Sequence, residues 1–268
     1  MENKEIIKNL LLKETYTFED LVAVMVILRG EGGCPWDREQ THKSIRNDLI
    51  EETYEVIEAI DTEDPVLLRE ELGDVLLQVV FHARIAEEEQ AFSMSDVTDG
   101  ICRKLIHRHP HVFADVVADT SEEVLKNWKN IKSDEKSRKT VTDKLRAVPP
   151  MLPALMRATK VGKKASCFDF PTTEDVMDKL SEEFVEVSEA IEEGDEAHVR
   201  EEIGDLLLTV TSLCRKLGVS AEDALRDATD KFIGRFERIE NEILAAGKSI
   251  SDYSLEELDA MWGKNKEK

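Results

Sequence analysis

Residues Leu49 to Leu77 align without a gap on Leu180 to Leu208, at a constant offset of 131, and 16 of the 29 positions are identical. Unrelated segments would share roughly two of 29, at about 6% chance identity per site. The 268-residue chain is therefore one domain written twice, and its fold must be assembled from two similar halves. The matched positions include Glu51, Glu52, Glu55, Glu58, Arg69, Glu70, Glu71, Gly73 and Asp74, with copies at Glu182, Glu183, Glu186, Glu189, Arg200, Glu201, Glu202, Gly204 and Asp205. Lys104 and Arg108 find their match in Lys231 and Arg235 at offset 127, and Trp128 and Lys132 in Trp262 and Lys266 at offset 134. The changing offsets place the insertions in loops between shared elements.

Within each copy the apolar period is helical. Leu49, Ile50, Thr53, Val56, Ile57 and Ile60 recur at three-to-four spacing, as do Leu72, Val75, Leu76, Val79 and Val80. Helix starts are expected where a hydroxyl residue precedes an acid by three: Thr17 and Asp20, Thr120 and Glu123, Thr172 and Asp175, Ser220 and Asp223, Ser254 and Glu257. Only Asp61 to Pro65, and Glu192 to Glu196 in the second copy, separate the two long helices. Connections that short make them antiparallel neighbours. With 12 Gly and 7 Pro in the whole chain, few punctuators are left for a fold of many short strands. The expected architecture is all-α: an N-terminal helical domain over 1–134, a polar and then proline-rich linker over 135–153, and a C-terminal helical domain over 154–268. Helical units of this size bury a modest core and often complete it by pairing, so a homodimer is expected.

The chain carries 58 acidic against 36 basic residues, a formal charge of −22. That excludes a nucleic-acid polymer as partner, because a phosphate backbone requires clustered Lys and Arg. Cys34, Cys102, Cys167 and Cys214 are widely spaced and read as reduced, mostly buried thiols. No apolar run approaches the length of a bilayer span and the N-terminus does not read as a signal peptide, so a cytoplasmic location without membrane contact is expected.

On a helix, positions three apart share a face. Glu52 pairs in this way with Glu55, and Glu71 with Asp74 on the neighbouring antiparallel helix; where the two faces meet, four carboxylates converge on one volume. Glu183 with Glu186, and Glu202 with Asp205, repeat the arrangement. Such carboxylates repel or take up protons unless a hard divalent cation joins them, Mg²⁺ before Ca²⁺ or Mn²⁺. A single acidic helix face is ordinarily just solvated. Here both copies keep the same acids while intervening residues drift, as Thr53 and Tyr54 do to Phe184 and Val185. Gly73 and Gly204 sit in helix interiors at a cost of about 1 kcal/mol each against Ala, which suggests a close approach to the backbone. With flanking Glu58, Asp64, Glu189 and Asp195, the duplicated motifs hold sixteen of the 58 acids, most of them able to surround a metal ion.

Lys104 with Arg108, and Lys231 with Arg235, each place two cations on one helix face, which beside an acidic metal site forms a phosphate clamp. His107, His109 and His111 have a spacing that suits transition metals, but Pro110 and the apolar neighbours indicate a helix end instead. No nucleotide-binding glycine loop or nucleophile elbow is present.

These residues resemble the MazG-type nucleoside triphosphate pyrophosphohydrolases in their tandem two-domain form. The resemblance spans essentially the whole chain and rests on G-C-P-W-D-R-E-Q-T-H (Gly33 to His42), E-E-T-Y-E (Glu51 to Glu55), E-L-G-D (Glu71 to Asp74) and R-H-P-H-V-F (Arg108 to Phe113), with Trp128 and Lys132. In the second half it rests on F-D-F (Phe168 to Phe170), E-E-F-V-E (Glu182 to Glu186), E-I-G-D (Glu202 to Asp205) and K-F-I-G-R-F (Lys231 to Phe236), with Trp262 and Lys266. Where the family often has F-D-W, this chain has F-D-F, so Phe170 lacks the indole N–H.

The resemblance implies a dimerising all-α enzyme that uses Mg²⁺ to convert nucleoside triphosphates to monophosphate and diphosphate. It implies Glu52, Glu55, Glu71 and Asp74, with Glu183, Glu186, Glu202 and Asp205, as metal ligands. The nucleotide-binding set so implied is Lys179, Lys231, Arg235, Trp262 and Lys266, with Lys104, Arg108, Trp128 and Lys132 in the first copy. A triphosphate carries about four negative charges, so two or more Mg²⁺ per occupied site are expected, with Mn²⁺ able to substitute. The proton acceptor for the attacking water is Glu182 or Glu186, and Glu51 or Glu55 in the first copy. Both copies are expected to bind metal, the second having more the character of a general catalytic unit. Broad nucleotide use, in a house-cleaning role, is expected because few residues that read a base edge are identifiable. The alternative is a non-catalytic acidic helical dimer that senses nucleotides or binds a protein.

Overall fold

The computed structural model describes residues 2–118, 120–135 and 140–265. The fold is all-α, with the two repeats forming tandem helical domains, and the chain divides into two compact units, Met1–Glu135 and Lys136–Lys268. The first unit contains α1 (Glu2–Leu11), α2 (Phe18–Arg29), α3 (Pro35–Glu39), α4 (Arg46–Asp61), α5 (Pro65–Glu88), α6 (Met94–Arg108), α7 (Pro110–Phe113) and α8 (Ser121–Glu135). The second contains α9 (Val141–Arg146), α10 (Ala154–Lys164), α11 (Thr173–Glu193), α12 (Glu196–Lys216), α13 (Ala221–Ala245) and α14 (Leu255–Lys264), with 3-10 turns at Ser166–Phe168 and Ile250–Asp252. Helix α9 lies inside the segment with linker composition and packs against α10.

The centre of each unit is an antiparallel hairpin, α4 with α5 and α11 with α12. Gly194 makes the second turn at φ +71°, a conformation that costs glycine little. The repeated aspartates Asp64 and Asp195 serve these turns. Asp64 accepts from the backbone N–H of Val66 and Leu67, and Asp195 from those of Ala197 and His198, capping α5 and α12. Their conservation between the repeats is thus explained by helix capping. Other helix starts form where hydroxyl and acid were spaced for them. Thr172 N–H donates to Asp175 at 2.9 Å while Asp175 N–H donates to the Thr172 hydroxyl at 3.2 Å, and Ser254 and Glu257 exchange the same pair at 2.8 and 3.3 Å.

In the first unit Met25 from α2, Ile45 at the entry to α4, and Val80, Phe81 and Ile85 from α5 form the core, packed by Leu21, Val22, Leu28, Leu77 and Met94. In the second, Val176 and Ala190 of α11 and Ile239 and Ile243 of α13 are buried. Each fully buried aliphatic or Phe side chain contributes about 1.5–3 kcal/mol. The apolar stripes are wider than these cores. Ile50 and Ile60 belong to the helical pattern of α4, yet each is about half exposed, as are Leu72 on α5 and Leu207 on α12, while Phe184 on α11 is 66% exposed.

Two expectations are corrected. The four cysteines are free thiols but none is buried: Cys102 and Cys167 are exposed, Cys34 and Cys214 half-buried. Gly73 and Gly204 have no neighbour within 4 Å of where a Cβ would stand, so no close approach to their backbone occurs within the described chain. No helix of the described residues is long and apolar enough to cross a membrane.

Candidate active site

Helical register and hairpin packing bring three carboxylates together in each unit. Ligand oxygens of Glu52 and Glu55 on α4 and Glu71 on α5 lie within 4.8 Å of one another, as do those of Glu183 and Glu186 on α11 and Glu202 on α12. The fourth acid of each set stands outside that distance. Asp74 is still close enough to act on Glu52 and Glu71 through its charge, whereas Asp205 follows Glu202 by one turn of α12.

The first cluster has no counter-ion of its own among the described residues. Among the described residues no Lys, Arg or His nitrogen lies within 4.0 Å of Glu52, Glu55, Glu71 or Asp74. Burial, then Glu55, Asp74 and Glu71, push the Glu52 carboxyl above its ordinary range. Burial, then Glu55, Asp74 and Glu70, do the same to Glu71. Glu51 lies beside the cluster, lining with Glu55 and Tyr54 a groove of about 340 Å³ along α4.

The second cluster contains cations of its own. Lys179 Nζ is 2.8 Å from Glu182, 3.1 Å from Glu183 and 3.6 Å from Glu186, and Glu182, then Glu183, raise its affinity for its proton. His198 places Nδ1 at 2.8 Å from Glu193 and Nε2 at 3.1 Å from Glu202. Glu193 above all holds its pKa above the usual imidazole value.

Both clusters fit a divalent cation. Glu183 is only 4% exposed, and its Oε2 has no hydrogen-bond partner among the described residues. A buried carboxylate oxygen left unpartnered is costly, and a metal ion shared with Glu186 and Glu202 would satisfy it. The all-oxygen donor set suits Mg²⁺ or Mn²⁺.

The remaining sequence-derived candidates gather around two tryptophans. Arg108 lies over the Trp128 ring at 5.5 Å and Lys132 at 4.3 Å. In the second unit Arg235 lies over Trp262 at 5.9 Å, and the Phe232 and Trp262 rings are 4.9 Å apart. Lys104 precedes Arg108 by one turn of α6, and Lys231 precedes Arg235 by one turn of α13. Among the described residues, none of these cations comes within 4.0 Å of the three-carboxylate groups. Lys266 lies outside the described residues. His109 ends α6 and Pro110 opens α7, as a helix-end reading of the histidines requires.

Some bracing contacts carry no sequence signal. Asp169 of the F-D-F motif is gripped by Arg215 at the end of α12. In the first unit Arg29 is nearly buried, bonds Glu88 at 2.8 Å and donates to the carbonyls of Asp37 and Gln40. It thereby pins α3, the short helix that carries the exposed Trp36. Pairs so distant in sequence cannot be read from spacing. His198 had a local signal, because it precedes Glu202 by four residues and so shares its helix face.

Fold and site together define a tandem-repeat, all-α protein with one acidic cluster per repeat able to hold a metal ion. The chain belongs to the MazG nucleotide pyrophosphohydrolase family, whose domain matches residues 40–113 and again 171–239. It is 45% identical over 251 residues to the nucleoside triphosphate pyrophosphohydrolase/pyrophosphatase MazG of Thermotoga maritima, covering 93% of this chain and 95% of that one. It is 44% identical to the nucleoside triphosphate pyrophosphohydrolase of Escherichia coli, covering 90% and 94%. With the protein of that same name in Mycobacterium tuberculosis, identity is 37%, covering 87% of this chain and 62% of that one.

Proposed function

We propose that this protein is a Mg²⁺-dependent hydrolase that converts a nucleoside triphosphate and water to the monophosphate and diphosphate, with broad or house-cleaning nucleotide specificity. The observation that carries the reading is the recurrence, at repeat-equivalent positions, of three carboxylates within 4.8 Å of one another. The names of the relatives in Thermotoga maritima and Escherichia coli support the reaction.

In the second unit Glu183, Glu186 and Glu202, with Asp205 one turn away, would hold Mg²⁺, and Glu52, Glu55, Glu71 and Asp74 would do so in the first. Bound Mg²⁺ supplies positive charge at the phosphates and makes a water molecule more acidic. Lys231 and Arg235 neutralise triphosphate charge, while Trp262 and Phe232 offer an aromatic surface to the base. Glu182 lies outside the three-carboxylate group and is exposed, which leaves its carboxylate free of the metal. Of Glu182 and Glu186 we assign Glu182 as the acceptor of the water's proton, because Glu186 belongs to the metal-holding group, with Glu51 its counterpart in the first unit.

The protein acts as a homodimer in this reading. Phe184, Ile191, Ile203, Leu207 and Ile233 leave apolar side chains exposed on α11, α12 and α13, surface that pairing would cover. The deciding experiment measures diphosphate release with and without Mg²⁺ across a panel of nucleotides. A Glu52→Ala, Glu183→Ala double variant should lose it, and retained Mg²⁺-dependent release would remove the carboxylates from the mechanism.

A further inference from the structure

The repeats differ at two positions that the common helical register makes equivalent. Lys179, in contact with three acids of the second site, corresponds to Asp48, one turn before Glu52. His198, which reaches Glu202, corresponds to the apolar Leu67. The first cluster thus has an acid one helical turn before Glu52 and, among the described residues, no cation within 4.0 Å, while the second carries internal counter-ions at repeat-equivalent places.

We propose that the two acid clusters take up a divalent cation differently: the first binds it unaided, whereas the second binds it only together with a nucleotide that draws Lys179 away. This rests on the reading of both clusters as metal sites, and concerns the order in which their ligands arrive. The Lys179 ammonium contacts Glu183 and Glu186 at 3.1 and 3.6 Å, carboxylates that a metal ion would also need. Two cations against the same oxygens repel each other, so metal entry requires the lysine to move. An ammonium leaving carboxylates needs another anion, and triphosphate oxygens provide one. Metal and nucleotide therefore favour each other's binding at the second cluster, and the coupling is reciprocal. Asp48 does the opposite at the first cluster by adding attraction for a free divalent cation.

Mn²⁺ binding to the full-length protein, read from the loss of the free-ion signal in electron paramagnetic resonance, tests this without any turnover. Without nucleotide the wild type should show one class of sites, abolished by Glu52→Gln and untouched by Glu183→Gln. Adding an α,β-imido nucleoside triphosphate should open a second class, abolished by Glu183→Gln. Lys179→Met should open that second class without nucleotide, tightening Mn²⁺ there about tenfold, the effect of losing one competing charge-assisted contact; Lys179→Arg should behave as wild type. Asp48→Asn should weaken the first class. Equal nucleotide-free affinities at the two clusters, or no effect of Lys179→Met, would overturn the proposal while leaving both metal sites standing. Mn²⁺ binding indifferent to both Gln substitutions would overturn the metal reading, and this proposal with it.

Discussion

Arg215 holds Asp169 through both carboxylate oxygens, with Nη2 at 2.6 Å from Oδ1, and so ties the segment before α11 to the end of α12. The guanidinium brings the Asp169 carboxyl down to about 2 from an ordinary 3.8. A folded-state value below the unfolded one gives stability that is present above the unfolded pKa and lost as pH falls through the folded one. Asp169→Asn should therefore cost about 1.5–3 kcal/mol at neutral pH, as expected for a hydrogen bond between charged groups. Urea titrations should show the difference between variant and wild type shrinking as pH falls from about 4 toward 2.

The first cluster should show the opposite pH dependence. Glu52 and Glu71 are raised above their ordinary 4.5. Their contribution to stability is fully present below that value and is lost as pH rises through the raised folded-state values. With metal chelated, thermal melting should show the first unit weakening over that window, and Mg²⁺ should restore it at neutral pH. Glu52→Gln should reduce both the weakening and the Mg²⁺ effect.

Glu182 and Glu183 are neighbours with separate tasks in the proposed mechanism, since only Glu183 belongs to the clustered group. Glu182→Gln in a second-unit-only background, with the first site disabled by Glu52→Ala, should lower kcat by about 10²–10⁴-fold. Mn²⁺ binding in the presence of the nucleotide analogue should persist. Unchanged kcat would assign the proton to another group.

Trp262 packs on Phe232 and beneath Arg235. If the base stacks there, Trp262→Ala should weaken nucleotide binding by roughly 5- to 150-fold, corresponding to about 1–3 kcal/mol, and Trp262→Phe should recover most of it. Calorimetric titration with the non-hydrolysable analogue provides the measurement.

Phe184 is 66% exposed although it belongs to a central helix. If the proposed homodimer pairs through this face, Phe184→Asp should shift it from dimer to monomer in sedimentation equilibrium while leaving the helical circular dichroism of each unit intact. A dimer of unchanged affinity would place the contact on another face.

The duplication, the all-α class, the short hairpin turns and the acid positions are legible in the order of residues alone. Each of these is local: a register offset, a 3.6-residue period, a cap spacing, or two acids one turn apart. The order of residues also makes Lys179 readable as a neighbour of Glu182 and Glu183, three and four residues away. The tertiary structure alone decided that Glu71 meets Glu52 and Glu55, and Glu202 meets Glu183 and Glu186, within 4.8 Å. It likewise decided that Arg215 finds Asp169 across 46 residues, that apolar residues of both hairpins such as Ile60 and Phe184 stay exposed, and that Glu183 is buried with an oxygen unpartnered among the described residues. The physical reason is that helix spacing specifies which side chains share a face, while packing between helices specifies which faces meet and what charge each then finds opposite it.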